Sequence, residues 1–189
     1  MLPYRYMNHT ELVQLVRSAA ASGASSADAG EGGRREFVVV DCRDEDFRGG
    51  NIPGAIRAPS ELRTDESVRA LVEQLKDVPN VVFHCSLSQV RGPKTARIYA
   101  EAADAARSPS SAAAPSQPAT PAAPSAPTQT SAEAARTFSP TPYEPAGQED
   151  GKQQVWVLRD GFHGWQGLYR NDPILVENWD AGVWQDYSP

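Results

Sequence analysis

Apolar positions along the chain fall into two periods, and their alternation predicts strands and helices in turn. Residues 4–7 (YRYM) are short and aromatic, the pattern of an edge strand. A helix starting at Asn8 is predicted from Leu12, Leu15, Val16 and Ala19 at helical spacing, with Glu11 placed for a capping box. Residues 37–40 (FVVV) form a continuous apolar run, hence a strand buried on both faces. Residues 55–58 read as a short strand. Residues 65–76 read as a helix capped by Thr64, with Val68, Leu71, Val72 and Leu75 inward. Pro79-Asn80 breaks the chain before a second buried run, Val81, Val82 and Phe83. A helix is predicted over 93–106 with Pro93 at its first position, packing Ala96, Ile98, Tyr99 and Ala103 on the sheet. A last strand over 154–158 (QVWVL) leads into a turn and helix marked by Gly161, Gly164 and Trp165. The tail, with Trp179, Trp184 and Tyr187, reads as irregular turns across the surface.

Two stretches fall outside this pattern. Residues 21–35 are a Gly/Ser/Ala loop, read as a solvated insertion. Residues 107–152 are Ala/Pro/Ser-rich with hardly any aliphatic residue larger than alanine. They bury too little surface to offset ordering entropy and read as a disordered insertion. Loop-closure cost grows only logarithmically with length, so an insertion here costs little. Without both stretches about 125–130 residues remain, the size of one domain. Strand–helix alternation then predicts an α/β fold: one domain over 1–189, with a mostly parallel central sheet and helices on both faces.

Composition narrows the function classes. The 189-residue chain carries a net charge of −6, which supplies no basic surface for nucleic acid or an acidic membrane. No apolar run approaches the roughly 20 residues a bilayer crossing needs. The first fifteen residues lack the apolar core and cleavage site of a signal peptide. Two cysteines, Cys42 and Cys85, make no disulfide framework, so the expected setting is a reducing one, cytoplasmic or nuclear. His9 and His163 form no ligand spacing with the cysteines. Neither a metal nor an organic cofactor is expected.

The candidate chemistry lies where the Val81 strand ends, in His84-Cys85, five residues, then Arg91. A thiol at a strand end facing a helix N-terminus can hold a thiolate and an oxyanion together. Backbone N–H groups from Ser86, Leu87, Ser88, Gln89, Val90 and Arg91 can form a nest around a tetrahedral anion. Arg91 adds a forked donor for two of its oxygens. A cation at a helix N-terminus opposes the helix dipole, which makes sense if an anion sits there. The same field would favour Cys85 as the thiolate nucleophile of phosphate-ester hydrolysis through a cysteinyl-phosphate.

Three stretches resemble one family. DCRDEDFRGGNIPGAIRAPS is similar to the first signature of rhodanese-like domains, VWVLRDGFHGW looks like their closing signature, and FHCSLSQVRGPKTA looks like the active loop of the fold's phosphatase branch. That branch holds the M-phase inducer phosphatases, small fungal-type phosphatases and fungal-type arsenate reductases. The resemblance implies a rhodanese-like fold and a protein phosphatase acting on phosphotyrosine of phosphoproteins, with dual specificity within the family's range. The runner-up is thiol-dependent arsenate reduction on the same loop. A sulfurtransferase is implied to have a shorter loop, and a non-catalytic phospho-binding module would not need the Cys85/Arg91 pair.

The supporting residues carry alternatives. The inducer phosphatases have Glu immediately before the loop arginine, where this chain has Val90, so the leaving-group acid is unassigned. Asp44, Glu45, Asp46 and Glu61 are the acids within sequence reach of the loop. Cys42 is implied by the resemblance to be a resolving partner for Cys85, and is equally well read as a buried small hydrophobe. His84 reads as structural, orienting the loop. Asp41 and Arg43 read as tying strand ends to loops by charge-assisted hydrogen bonds. Ser88 either bonds the thiolate or caps a turn, and Gln89 either places a water or faces solvent. If residues 107–152 are an insertion without catalytic parts, deleting 110–148 leaves aryl-phosphate kcat/KM nearly unchanged. A large loss would show that the segment shapes the site.

Overall fold

The computed structural model describes residues 2–21, 35–107 and 153–185. The elements in order are β1 (Arg5–Met7), α1 (His9–Ala21), β2 (Phe37–Asp41), β3 (Ile56–Arg57), α2 (Asp65–Leu75), β4 (Asn80–His84), α3 (Arg91–Arg107), β5 (Gln154–Leu158), α4 (Gly161–Tyr169) and α5 (Ala181–Trp184). The strands form one sheet in the order β1-β5-β4-β2-β3, with every pairing parallel. The central strand, β4, therefore delivers the His84-Cys85 stretch to the C-terminal edge of the sheet, where parallel α/β folds bind ligands.

Side-chain parity sorts the core into two layers. Val38, Val40, Val81, Phe83, Val155 and Val157 meet Val72, Leu75, Tyr99 and Ala103 from α2 and α3. Phe37, Val39, Val82 and Leu158 meet Leu12 and Val16 of α1, Phe162 and Trp165 of α4, and Leu175 of the tail. Successive residues of a strand point to opposite faces, so a run without polar interruption is what a sheet covered on both sides requires. Helices on both faces and the parallel sheet are as expected from the sequence.

The differences are local. The 55–58 strand is only Ile56–Arg57. Helix α3 begins at Arg91, two residues before its predicted start, so Pro93 is its third residue. That position is tolerated because the first intrahelical bond is made by Lys94 N–H to Val90 O at 3.0 Å. The N–H that proline lacks is one the first turn would leave unpaired anyway. The tail contains the short helix α5, whose Asp180 accepts from Gly182 N–H at 2.8 Å. The predicted insertions at 21–35 and 107–152 lie almost wholly outside the described residues, as does Tyr187.

Trp165 is fully buried and its indole Nε1–H donates to Leu175 O at 2.9 Å, binding the tail to α4. Trp165→Ala is expected to cost about 3–5 kcal/mol of unfolding free energy, measured by urea titration. A loss below about 1 kcal/mol would show that the tail packs independently of this ring.

Candidate active site

Cys85 follows β4 directly and is 3% exposed. Its position is held from two sides. Ser88 N–H donates to Cys85 Sγ at 3.2 Å, and Ser88 Oγ accepts from Cys85 N–H at 3.4 Å. Ser88 thus both touches the thiol and closes the turn, and its φ of 52° is the left-handed conformation that this tight return requires. From α4, Phe162 N–H donates to Cys85 O at 2.8 Å and His163 N–H to Ser86 O at 2.9 Å. The first turn of α4 therefore occupies the loop's carbonyls. The N–H groups of Ser86, Leu87, Gln89, Val90 and Arg91 have no hydrogen-bond partner among the described residues.

Gly161 makes that docking achievable. It has φ +56°, and a Cβ there would stand 2.3 Å from Cys85 O and 2.5 Å from Ser86 O. The sequence marks it only as a turn glycine after Asp160; its contact with the loop becomes visible only when β4 and β5 are neighbours.

Arg91 opens α3 and lies near enough to Cys85 for a thiolate charge to act on it. Its guanidinium is not free. Nη1 donates to Asp44 Oδ2 at 3.0 Å and Asp46 Oδ1 at 2.7 Å, and Nη2 donates to Asp46 Oδ2. Ser86 Oγ–H also donates to Asp46 Oδ2. Hydrogen bonding to Arg91 holds the Asp46 carboxyl well below the usual carboxylate range, against the opposing effect of burial. Burial pushes Asp44 up, but Ser60, Glu61 N–H and Arg91 outweigh it and keep that carboxyl low. The anion implied by an arginine at a helix N-terminus is thus supplied, in this state, by the chain's own carboxylates. Glu45 and Glu61 are exposed; the acids brought to Arg91 are Asp44 and Asp46.

Behind the loop lies a buried charged frame. Arg43 Nη2 donates to Asp41 Oδ2 at 2.6 Å and to Gly50 O at 2.8 Å, while Nη1 donates to Asp46 O at 3.3 Å. The guanidinium stacks 4.1 Å from the Phe162 ring centroid. One buried arginine thus joins the β2 end, the 44–50 loop and α4. His84 is fully buried on the same sheet face, its Nε2 3.7 Å from Asp41 Oδ2 and without a hydrogen bond. Its Nδ1 lies 3.4 Å from Cys85 O.

Cys42 sits on the opposite face with Cys85, because the register that pairs Asp41 with His84 carries both cysteines one residue further. Adjacent strands are about 4.8 Å apart, inside the Cα range of about 4.4–6.8 Å for a disulfide. Both thiols are free. Burial pushes the Cys42 thiol up to about 12, so it is a neutral thiol and a slow attacking group at neutral pH. Thr95 Oγ1 accepts from Arg63 at 2.7 Å and donates to Arg91 O at 2.9 Å, and its hydroxyl opposes the rise that burial imposes on Cys42. Sequence reasoning missed Thr95 and Arg63, since nothing in their local spacing marks them. At the rim Leu87 is 49% and Val90 70% exposed, and Gln89 faces solvent.

Burial holds the His84 imidazole below its ordinary value, so it is folded neutral. Burial opposes the Asp41 charge, but the hydrogen bonds and charge of the Arg43 fork outweigh it and keep the carboxyl low. For both groups the unfolded chain binds protons first as pH falls. Stability is therefore full above pH 6.5, the ordinary His value. It falls below that value as unfolded His84 protonates, and falls again below 3.8, the ordinary Asp value. His84→Gln is expected to flatten the upper limb in a denaturation series run at stepped pH. An unchanged limb would contradict burial of neutral His84.

No protein-family model matches the chain. It is 42% identical over 66 residues to the dual specificity phosphatase ibp1 of Schizosaccharomyces pombe, covering 35% of this chain and 47% of that protein. It is 28% identical over 161 residues to the CDC25-like phosphatase YCH1 of Saccharomyces cerevisiae, covering 80% of each. The chain thus spans about half the length of ibp1 and most of YCH1. Among solved structures, Ygr203w, a yeast protein tyrosine phosphatase of the rhodanese family, superposes with a TM-score of 0.62 at 23% identity over 98% of this chain and 99% of that one. An As-Sb reductase from Leishmania major gives 0.57 at 24% identity, over 92% and 84%. At such identities the structures speak for the fold alone, and the kinship comes from the sequences. The fold is thus rhodanese-like, and in sequence the chain is similar to Cdc25-like and dual-specificity phosphatases.

Proposed function

We propose that this chain hydrolyses phosphotyrosine side chains of phosphoproteins through a cysteinyl-phosphate on Cys85. The observation that carries this reading is the division of the loop. Its first carbonyls are taken by α4, while Ser88 N–H meets the Cys85 thiol, the other loop N–H groups have no partner among the described residues, and Arg91 lies within electrostatic reach of the thiol. A phosphoryl group would meet donors wherever its equatorial oxygens gain charge in the transition state. Cys85 Sγ attacks phosphorus, the ester oxygen leaves, and water then releases phosphate and restores the thiolate. The exposed apolar side chains of Leu87 and Val90 offer contact to an aromatic leaving group.

Arsenate reduction is the second reading, supported by arsenate's near identity in shape to phosphate. In that reaction the same loop binds arsenate and an external thiol supplies the electrons. A side-by-side assay separates the two. We expect wild type to turn over aryl phosphate, Cys85→Ser to abolish turnover, and Arg91→Lys to lower kcat by about 10²–10³-fold. Retained hydrolysis by Cys85→Ser would overturn the reading. Glutathione-dependent arsenite formation without aryl-phosphate turnover would replace it with the second.

A further inference from the structure

Asp46 sits where the substrate must go. Its two carboxylate oxygens meet both terminal nitrogens of Arg91, and one of them also accepts from Ser86 Oγ–H. Two planar oxygens in a guanidinium fork, with a hydroxyl donor beside them, match the contacts a phosphoryl group would make at the same donors. A substrate dianion therefore cannot engage Arg91 fully while Asp46 remains on it.

The backbone of Asp46 is held independently of the Arg91 contact. Its backbone carbonyl accepts from Arg43 Nη1 at 3.3 Å. The next residue, Phe47, lies between the Arg43 and Arg57 guanidiniums, 4.9 and 4.7 Å from its ring centroid. Beyond Arg91 and Ser86, the donor to the carboxylate among the described residues is Asp44 N–H, at 3.0 Å. Asp44 differs: it is tied to the 60–62 turn by Ser60 Oγ–H at 2.7 Å and Glu61 N–H at 2.9 Å, so it stays in place. The groups that meet the Asp46 carboxylate are Arg91 from α3, Ser86 from the loop and the Asp44 N–H from its own segment; Arg43 reaches its backbone carbonyl, and Cys85 acts on Arg91. Arg91 supplies the interaction that keeps it ionised.

We infer that Asp46 is displaced from Arg91 by the substrate phosphoryl group, takes up a proton, and becomes the acid that protonates the leaving oxygen. The inference rests on the phosphatase reading and fills the position that Val90 leaves without a carboxylate. Once the dianion holds Arg91, Asp46 has lost its cation and gained a neighbouring double negative charge. Both changes favour the protonated carboxyl, and the proton comes from solvent. In the first step the Cys85 sulfur–phosphorus bond forms as the phosphorus–oxygen ester bond breaks. The electron pair stays on the leaving oxygen, which receives the Asp46 proton. In the second step the Asp46 carboxylate takes a proton from water, the water oxygen bonds phosphorus, and the sulfur–phosphorus pair returns to Cys85. Asp46 is thus both the resting occupant of the oxyanion site and its proton donor, and the exchange links protonation to substrate arrival.

Two measurements test this. The first uses sulfate, a tetrahedral dianion that does not titrate near neutrality, bound to Cys85→Ser and to Cys85→Ser/Asp46→Asn at pH 6–7. Calorimetry in buffers of different ionisation enthalpy reads proton uptake. The single variant is expected to take up a proton with sulfate, and the double variant to take up none while binding sulfate more tightly. Equal uptake, or weaker binding by the double variant, overturns the displacement. The second compares wild type with Asp46→Asn on phenyl phosphate and 4-nitrophenyl phosphate. The loss in kcat/KM, which reports the step that expels the leaving group, is expected to be at least about tenfold greater on the phenyl ester, whose leaving group needs the proton more. Asp46→Glu is expected to recover part of that difference. An equal loss on both esters overturns the acid role. Inactivity of wild type on both esters overturns the phosphatase reading itself, while the sulfate result still reports on displacement.

Discussion

The turn from β5 into α4 is the constraint on which the site depends. Phe162 and His163 direct their N–H groups at the carbonyls of Cys85 and Ser86. A carbonyl engaged from outside the loop leaves the adjacent N–H groups to the inside, and that orientation turns a strand-to-helix connection into an anion nest. The approach is so close that only a residue without a side chain fits at position 161. The loop motif and the closing Gly-Phe-His-Gly-Trp stretch are nearly eighty residues apart, yet they form one structure. The parallel pairing of β4 with β5 delivers both to the same edge.

The second organising fact is strand parity. Residues 38 and 40 on β2 with Cys42 just past its end, and residues 81 and 83 on β4 with Cys85 just past its end, share the face covered by α2 and α3. Asp41 and His84 point to the α4 face, where Arg43 joins them. Nucleophile and charged frame are therefore separated by the sheet and connected through the backbone of Cys85. A buried Arg–Asp pair of this kind is costly to break, because the remaining charge has no solvent. Its arginine also holds the carbonyls of Asp46 and Gly50. The frame fixes the backbone of the segment from which Asp46 reaches Arg91.

Much of this is legible in the sequence, for reasons that differ by residue. Buried strands appear as unbroken apolar runs because both faces of the sheet are covered. Cys85 and Arg91 stand out because loop spacing and a helix start are local properties. The start of α3 is misplaced by two residues because proline marks the first turn rather than its first position. Asp44, Glu45, Asp46 and Glu61 are equivalent as sequence, and only the tertiary structure separates them. Asp46 faces the Arg91 fork, Asp44 is anchored to the 60–62 turn, and the two glutamates point to solvent. Thr95 and Arg63 escaped notice because the bonds that join Arg63, Thr95 and the start of α3 have no local signature.

The central claim is a covalent phosphoryl transfer to the thiol at the end of β4. The most direct measurement is to quench the enzyme in acid during turnover of an aryl phosphate and map the phosphate by peptide mass spectrometry. The account predicts phosphate on the peptide containing Cys85, absent from Cys85→Ser treated alike. Steady turnover with no phosphorylated Cys85 peptide, or with phosphate carried by another residue, would contradict it.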